Sequence, residues 1–409
     1  MKFFTHFLLL FFCITSFTVN ATPQLKYGDW IGKLQLNNST ELPFRMEINP
    51  FKETYSLNIK NGEEIIQLNF KQYKGDTLVY SFPEFDSDLY LLVTSTKTIS
   101  GYWHNKNKKG RYIIPLTAHF CKGLLFECKA TREKSKENIP RKWKTTFEPH
   151  SEDMFAAIGL FDQNDNKLSG TFLTETGDFR FLDGNIFGEK LYLSCFDGSH
   201  AFLFTADLKN DTLLGEFFSG THYKTTWVAN PDENYELKDP NELTFVVNND
   251  KLTFDFNDID QQAFHYPNEN YKSKVTIIQI MGSWCPNCMD ETHYFMDLYK
   301  KYHDQGLEII LIGYETGADE TEYAEKLKRL QSRHSIPFTM LIGGAANKNK
   351  AAADFSMLNH IISFPTSIFV DRKGNIENVH TGFTGPSTGQ YYNEYMTETE
   401  NLIKELLKN

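Results

Sequence analysis

TIIQIMGSWCPNCMDE, residues 276–291, joins an apolar run to a pair of cysteines. Val275–Met281 is apolar and rich in β-branched residues, the mark of a strand buried on both faces. From Cys288 to about Asp304, Met289, Phe295, Met296, Leu298, Tyr299 and Tyr302 recur at helical spacing. The pair Cys285-Pro286-Asn287-Cys288 therefore falls where a strand ends and a helix opens. A thiol at a helix N-terminus faces unsatisfied backbone N–H groups and the positive end of the helix dipole, which stabilises its thiolate. Two intervening residues let a second thiol reach back and close a small ring. Cys285 reads as the exposed nucleophile that attacks a substrate disulfide, and Cys288 as the resolving thiol that displaces the reduced product.

Zinc is the competing use of a C-x-x-C pair, and a structural zinc site needs four ligands. The sequence holds no second C-x-x-C, and His293 and His303 do not form a closely spaced His pair. Thiol–disulfide exchange is the favoured reading, with no metal and no organic cofactor expected. Downstream, Leu307–Ile312 reads as a second buried strand, Glu320–Arg333 as a helix of alternating charge, Ser367–Val370 as a third strand and Glu398–Leu407 as a closing helix. Strands alternating with helices indicate an α/β domain with parallel pairs.

These residues resemble the active-site stretch of the thioredoxin superfamily, specifically its TlpA-type branch of exported thiol–disulfide oxidoreductases. Phe364-Pro365-Thr366, followed by Ser-Ile-Phe-Val-Asp371-Arg-Lys-Gly374-Asn, resembles that family's cis-proline loop, next strand and hairpin turn. The resemblance covers residues 243–409. It implies a thioredoxin-like fold, a site formed by Cys285, Cys288 and Trp284, and a cis Pro365 facing Cys285 with backbone free for an incoming peptide. It also implies disulfide- or thiol-containing exported proteins as partners, a lean towards reduction, and an electron donor, a membrane-associated one among the candidates. The chain departs from the pattern in places. Gln279 stands six residues before Cys285, where thioredoxins bury an acid, and an amide cannot titrate. Glu291 occupies the position of a glutamate typical of TlpA-like proteins; it is either a partial proton acceptor for Cys288 or a first-turn acid at the helix dipole. His293 replaces a helix-kinking proline, implying a straighter helix and a surface histidine. Gly313–His360 exceeds a minimal thioredoxin fold and suggests an added helical excursion. Peroxidases of the same superfamily carry a Thr before a single Cys, an arrangement that GSWCPNC lacks.

Upstream the pattern changes. From Gly28 to about Asn230, short β runs such as DWIGKLQL, TLVYSF, KLYLSCF and HAFLFTADL alternate apolar and polar residues between Gly, Asn and Asp turns. The region reads as an all-β barrel or sandwich. Ile99-x-Gly101-x-Trp103, Leu168-x-Gly170-x-Phe172 and Leu213-x-Gly215-x-Phe217 share one pattern, read as recurring hairpins of one closed sheet whose glycines permit close backbone approach. The DQNDN run at Asp162–Asn166 lacks the glycine of a calcium loop and reads as a hairpin turn. A polar, proline-bearing segment at residues 230–242 separates an all-β domain, 22–235, from the thioredoxin-like domain, 243–409.

Residues 1–21, MKFFTHFLLLFFCITSFTVNA, read as a secretory signal peptide cleaved near Ala21, so the protein is expected in the periplasm or otherwise exported. An exported chain keeps disulfides. Cys121 and Cys128 flank a hairpin-sized KGLLFE and are expected to bond, while Cys195 in LYLSCFDG is expected as a buried strand thiol. Over 409 residues the formal net charge is -11, which argues against nucleic-acid binding because phosphate recognition needs a basic face. The leading function is an exported thiol–disulfide oxidoreductase, with a reductive direction expected. The alternative is a ligand- or partner-binding β-barrel with an accessory redox domain.

Overall fold

The computed structural model describes residues 24–408 apart from 53, 75, 109, 128–137 and 249–250. The expected signal segment and Cys128 lie outside the described residues. Alternating apolar positions turn one face of each early strand inward, and the strands close round that face. Gly28–Gln35 pairs antiparallel with Glu41–Phe51 on one side and with Tyr112–Phe120 on the other, sealing an eight-stranded barrel. A second set follows. Phe155–Asn164 pairs with both Lys142–Phe147 and Lys167–Thr174, and the ladder continues through Leu182–Phe187 round to Tyr223–Pro231, which returns to Lys142–Phe147. That sheet also runs round on itself.

The β half is thus two closed sheets where the sequence suggested one. The repeated glycine pattern marks both, with Gly101 in the first and Gly170 and Gly215 in the second. A Cβ on Gly101 would stand 1.9 Å from the Tyr90 carbonyl oxygen, and one on Gly170 2.0 Å from that of Leu160. Only glycine lets those strands approach so closely. Large side chains fill both interiors: Trp30, Phe44 and Trp103 in the first, Trp143, Phe172 and Trp227 in the second, each 1% exposed or less. An eight-stranded ring has room for little else. Phe196 of the second ring enters the core of the first, its ring 4.7 Å from Phe44 and 5.1 Å from Trp103. The two rings therefore share an aromatic core.

The C-terminal sheet has the order Ala263–Tyr266, Phe254–Asp258, Thr339–Ala345, Leu307–Glu315, Val275–Met281, Thr366–Val370, Ile376–Thr381. Its three central strands are parallel, and Thr366–Val370 joins them antiparallel. Val275–Met281 is buried along its whole length, as its composition requires. The helices Pro286–Tyr302 and Glu320–His334 lie where the periodicity puts them. Two expectations change. The stretch Gly313–His360 is not helical alone: between the helices Glu320–His334 and Lys348–Asp354 it adds the strand Thr339–Ala345, parallel to Leu307–Glu315. The closing helix begins at Gln390, about two turns earlier than its apolar spacing suggests.

Cys195 is a free, fully buried thiol on Lys190–Phe196, as expected. Cys121 is disulfide-bonded. No helix among the described residues is long and apolar enough to cross a membrane. Replacing Gly170 with Ala is expected to lower unfolding stability by about 2 kcal/mol through overpacking against a backbone carbonyl. Urea unfolding measures this, and an unchanged midpoint would contradict the close-approach account.

Candidate active site

Pro286 needs no backbone donor in the first helical turn, so the chain enters the helix Pro286–Tyr302 directly from the sheet, and Cys285 becomes its N-cap. The Cys285 Sγ accepts from the Cys288 backbone N–H at 3.3 Å and lies 3.5 Å from the Phe364 carbonyl oxygen, to which its thiol donates. Both site cysteines are free thiols. The Phe364–Pro365 bond, whose carbonyl is the one facing Cys285, is cis. The Trp284 indole donates to the Tyr314 carbonyl at 3.0 Å and meets the Phe364 ring edge-on. The loop before the pair is clamped by Glu315, whose carboxylate accepts from the Ser283 backbone N–H and hydroxyl, each at 2.7 Å.

Cys288 lies behind, fully buried. Burial pushes its thiol well above the usual range, and the neighbouring Cys285 sulfur pushes it further. Glu291 is fully buried too and is not a solvent-facing helix acid. Its carboxylate accepts from Gln279 Nε2 at 2.8 Å, Ser367 Oγ at 3.0 Å and the Tyr395 hydroxyl at 2.9 Å. Burial outweighs those hydrogen bonds and raises Glu291 to about 7. Gln279 also donates to the Cys288 carbonyl at 3.2 Å and accepts from the Thr292 hydroxyl at 2.8 Å. The two departures seen in the sequence are one unit: the acid sits on the helix, and the strand amide ties it to the turn that carries Cys288.

Cys285, read from the sequence as an exposed nucleophile, is not exposed. Cys285 is 8% exposed, because the second β ring lies over the site. Its Thr176 carbonyl accepts from Ser363 Oγ at 3.1 Å, and its Asp178 carbonyl from Asn287 Nδ2 at 3.3 Å. Asp178 Oδ2 accepts from the Gly385 N–H at 2.7 Å, and the Ser199 hydroxyl donates to the Trp284 carbonyl at 3.0 Å. Arg180 anchors this cover. Its buried guanidinium pairs with Glu64 of the first ring at 2.7 Å, with Asp290 on the active-site helix, and approaches Asp197 at 3.7 Å. One cation cannot neutralise so many acids. Burial accordingly raises Asp290 to about 7 and also raises Glu64, whereas His200 and Arg180 hold Asp197 low against its burial.

Residues 248–379 match the model of a family described as the AhpC/TSA family. The C-terminal region is thioredoxin-like. Its curated relatives include thiol-disulfide oxidoreductase ResA of Bacillus thuringiensis subsp. konkukian, 28% identical over 130 residues, 31% of this chain and 65% of the relative. Another is ResA of Halalkalibacterium halodurans, 30% identical over 125 residues, 31% of this chain and 62% of the relative. The chain spans a little under two thirds of the length of these relatives. Among solved structures, a thiol:disulfide interchange protein from Chlorobium tepidum TLS is 18% identical and covers 39% of this chain and 98% of its own, with a TM-score of 0.31. StoA from Bacillus subtilis is 19% identical and covers 36% of this chain and 98% of its own, with a TM-score of 0.26.

The structure brings Cys285, Cys288, Trp284, Glu291 and Pro365 to one place. Sequence reasoning missed Glu315, Ser367, Tyr395 and the covering residues Thr176–Arg180. Glu315 had a signal, an acid closing an apolar strand; the others had none, because their partners are remote in the chain. Glu291 supplies a pH test. Its pKa rises on folding from the ordinary 4.5 to about 7, so its stabilising contribution is complete below pH 4.5 and is lost as pH climbs through 7. That loss amounts to about 3 kcal/mol. Urea unfolding at pH 5 and pH 8 should show a smaller difference in Glu291→Gln than in the unaltered chain; equal differences would refute a carboxyl that titrates near neutrality.

Proposed function

We propose that the protein is an exported thiol–disulfide oxidoreductase working as a reductase through Cys285 and Cys288. The observation that supports it best is a sulfur pair split by burial, one at the helix N-cap beside Pro365 and one sealed behind it. The Cys285 thiolate attacks one sulfur of a substrate disulfide, forming a mixed disulfide and releasing the other sulfur as a thiolate. Cys288 passes its proton to Glu291 and attacks the Cys285 sulfur. The second substrate sulfur leaves and takes up a proton; the chain ends as a Cys285–Cys288 disulfide, two electrons having passed to substrate. An electron donor must return them. Trp284 and Pro365 form the docking wall, and the partners are disulfide- or thiol-containing exported proteins. Cys285→Ser is expected to abolish insulin disulfide reduction, and unchanged turnover would end this reading. Cys288→Ala should accumulate the mixed disulfide, from which the partner is identified, while hydrogen peroxide stays unconsumed.

In this reading residues 22–235 act as a cover over the redox unit 243–409, a use of the β half that its filled interiors favour over ligand capture. Access to Cys285 requires the Thr174–Arg180 segment to withdraw. Gly177 is the place to test it: its φ is +144°, and an added Cβ would meet Asn287 Nδ2 at 2.2 Å. Strain of about 1.4 kcal/mol shifts an opening equilibrium about tenfold. Gly177→Ala is therefore expected to speed iodoacetamide labelling of Cys285 by about that factor, with the far-UV spectrum unchanged. A labelling rate equal to that of the unaltered chain would remove the cover from the proposal.

A further inference from the structure

His293 was expected as a bare surface side chain, yet it is half-buried and faces two other metal-binding groups. Its Nε2 lies 3.3 Å from Nδ1 of His334, the last residue of the helix Glu320–His334. His334 Nε2 in turn lies 3.3 Å from Oε2 of Glu84, on the loop between the first-ring strands Thr77–Ser81 and Ser87–Ser95. Ligand atoms from all three residues fall within 4.8 Å of one another. Glu84 Oε2 and His334 Nε2 are both buried, and neither has a hydrogen-bond partner despite their closeness. Facing polar atoms left in that state inside a protein call for a bridging group.

We propose that Glu84, His293 and His334 bind a divalent transition-metal ion, zinc foremost, that links the first β ring to the two helices flanking the redox site. Tetrahedral zinc with imidazole bonds of about 2.1 Å holds its ligands about 3.4 Å apart; His334 offers a single nitrogen to the ion, and one ligand atom from each of the three residues already lies within 4.8 Å of the others. The donor set of two imidazoles and one carboxylate suits zinc, and leaves a fourth position open for water. Arg333 lies close by, but its guanidinium donates to the Glu84 backbone carbonyl at 2.8 Å and leaves the carboxylate free to turn. The ion would join Glu84 to residues 209 and 250 positions further along the chain, which is why no spacing motif announces the site. Nothing in this proposal depends on the oxidoreductase reading.

The experiment uses the full chain with Cys285→Ser and Cys288→Ser, so that the redox thiols cannot take the ion. After dialysis against a chelator, zinc titration by calorimetry is expected to give one equivalent. His293→Ala, His334→Ala and Glu84→Gln should each weaken it by about tenfold or more, with far-UV spectra unchanged. Cobalt substitution should give tetrahedral d–d absorption without a sulfur charge-transfer band. Zinc stoichiometry and affinity unchanged in the His293→Ala, His334→Ala double variant would overturn the proposal, as would no binding by the folded parent at millimolar zinc. Should the single variants fail to fold, Glu84→Asp, which keeps a carboxylate on a shorter stem, must still shift the affinity.

Discussion

The burial of Cys288 is the constraint around which the C-terminal half is organised. A thiol with no access to water resists ionisation, yet the resolving step of disulfide exchange needs it as a thiolate. Something nearby must accept a proton without being ionised so readily that it repels the forming charge. In the proposed exchange reaction Glu291 is the candidate for that role, since burial pushes its carboxyl up to about 7. The surrounding donors Gln279, Ser367 and Tyr395 come from two strands and the closing helix. They fix where the carboxylate stands, so two neighbouring strands of the sheet and the last helix all bear on one carboxyl group.

The cover imposes a second constraint of the same kind. Arg180 sits with a left-handed backbone at φ 63°, a conformation that a long side chain adopts only when its surroundings hold it there. What holds it is charge: Glu64 from the first ring, Asp197 from the second and Asp290 from the active-site helix converge on one guanidinium. Excess acid at a buried contact is tolerable only while some of the carboxyl groups keep protons. At this junction burial pushes Asp290 to about 7, as it does Glu291 behind the cysteine pair.

Local chemistry was legible in the sequence where it is carried by neighbours in the chain. Val275–Met281, the helix entered at Pro286 and the cysteine pair are each set by residues within a few positions, and all three stand where their pattern puts them. The barrel character of residues 28–230 was legible for the same reason, since alternation is local. Closure is not. Whether eight strands or sixteen form one ring depends on which distant edges pair, and the recurring glycines mark close approach without naming the partner strand. The strand Thr339–Ala345 escaped notice because TMLIGGA is short and carries two glycines, a poor strand signature that parallel pairing with Leu307–Glu315 overrides.

Charge and burial also explain why the cover was invisible to sequence reading. Thr176, Gly177 and Asp178 form an unremarkable polar turn, and polar turns are normally solvated. Here the turn has a second surface to meet. Its backbone carbonyls accept from Ser363 and Asn287, and Gly385 donates to Asp178, so each polar group that leaves water finds a partner across the junction. The contact made by this turn is matched group by group, while elsewhere Phe85 of the first ring packs into the core of the C-terminal half. The turn contact can separate and reform at modest cost, because every hydrogen bond lost to the protein is regained from water. That is the physical basis of the proposed withdrawal of the Thr174–Arg180 segment.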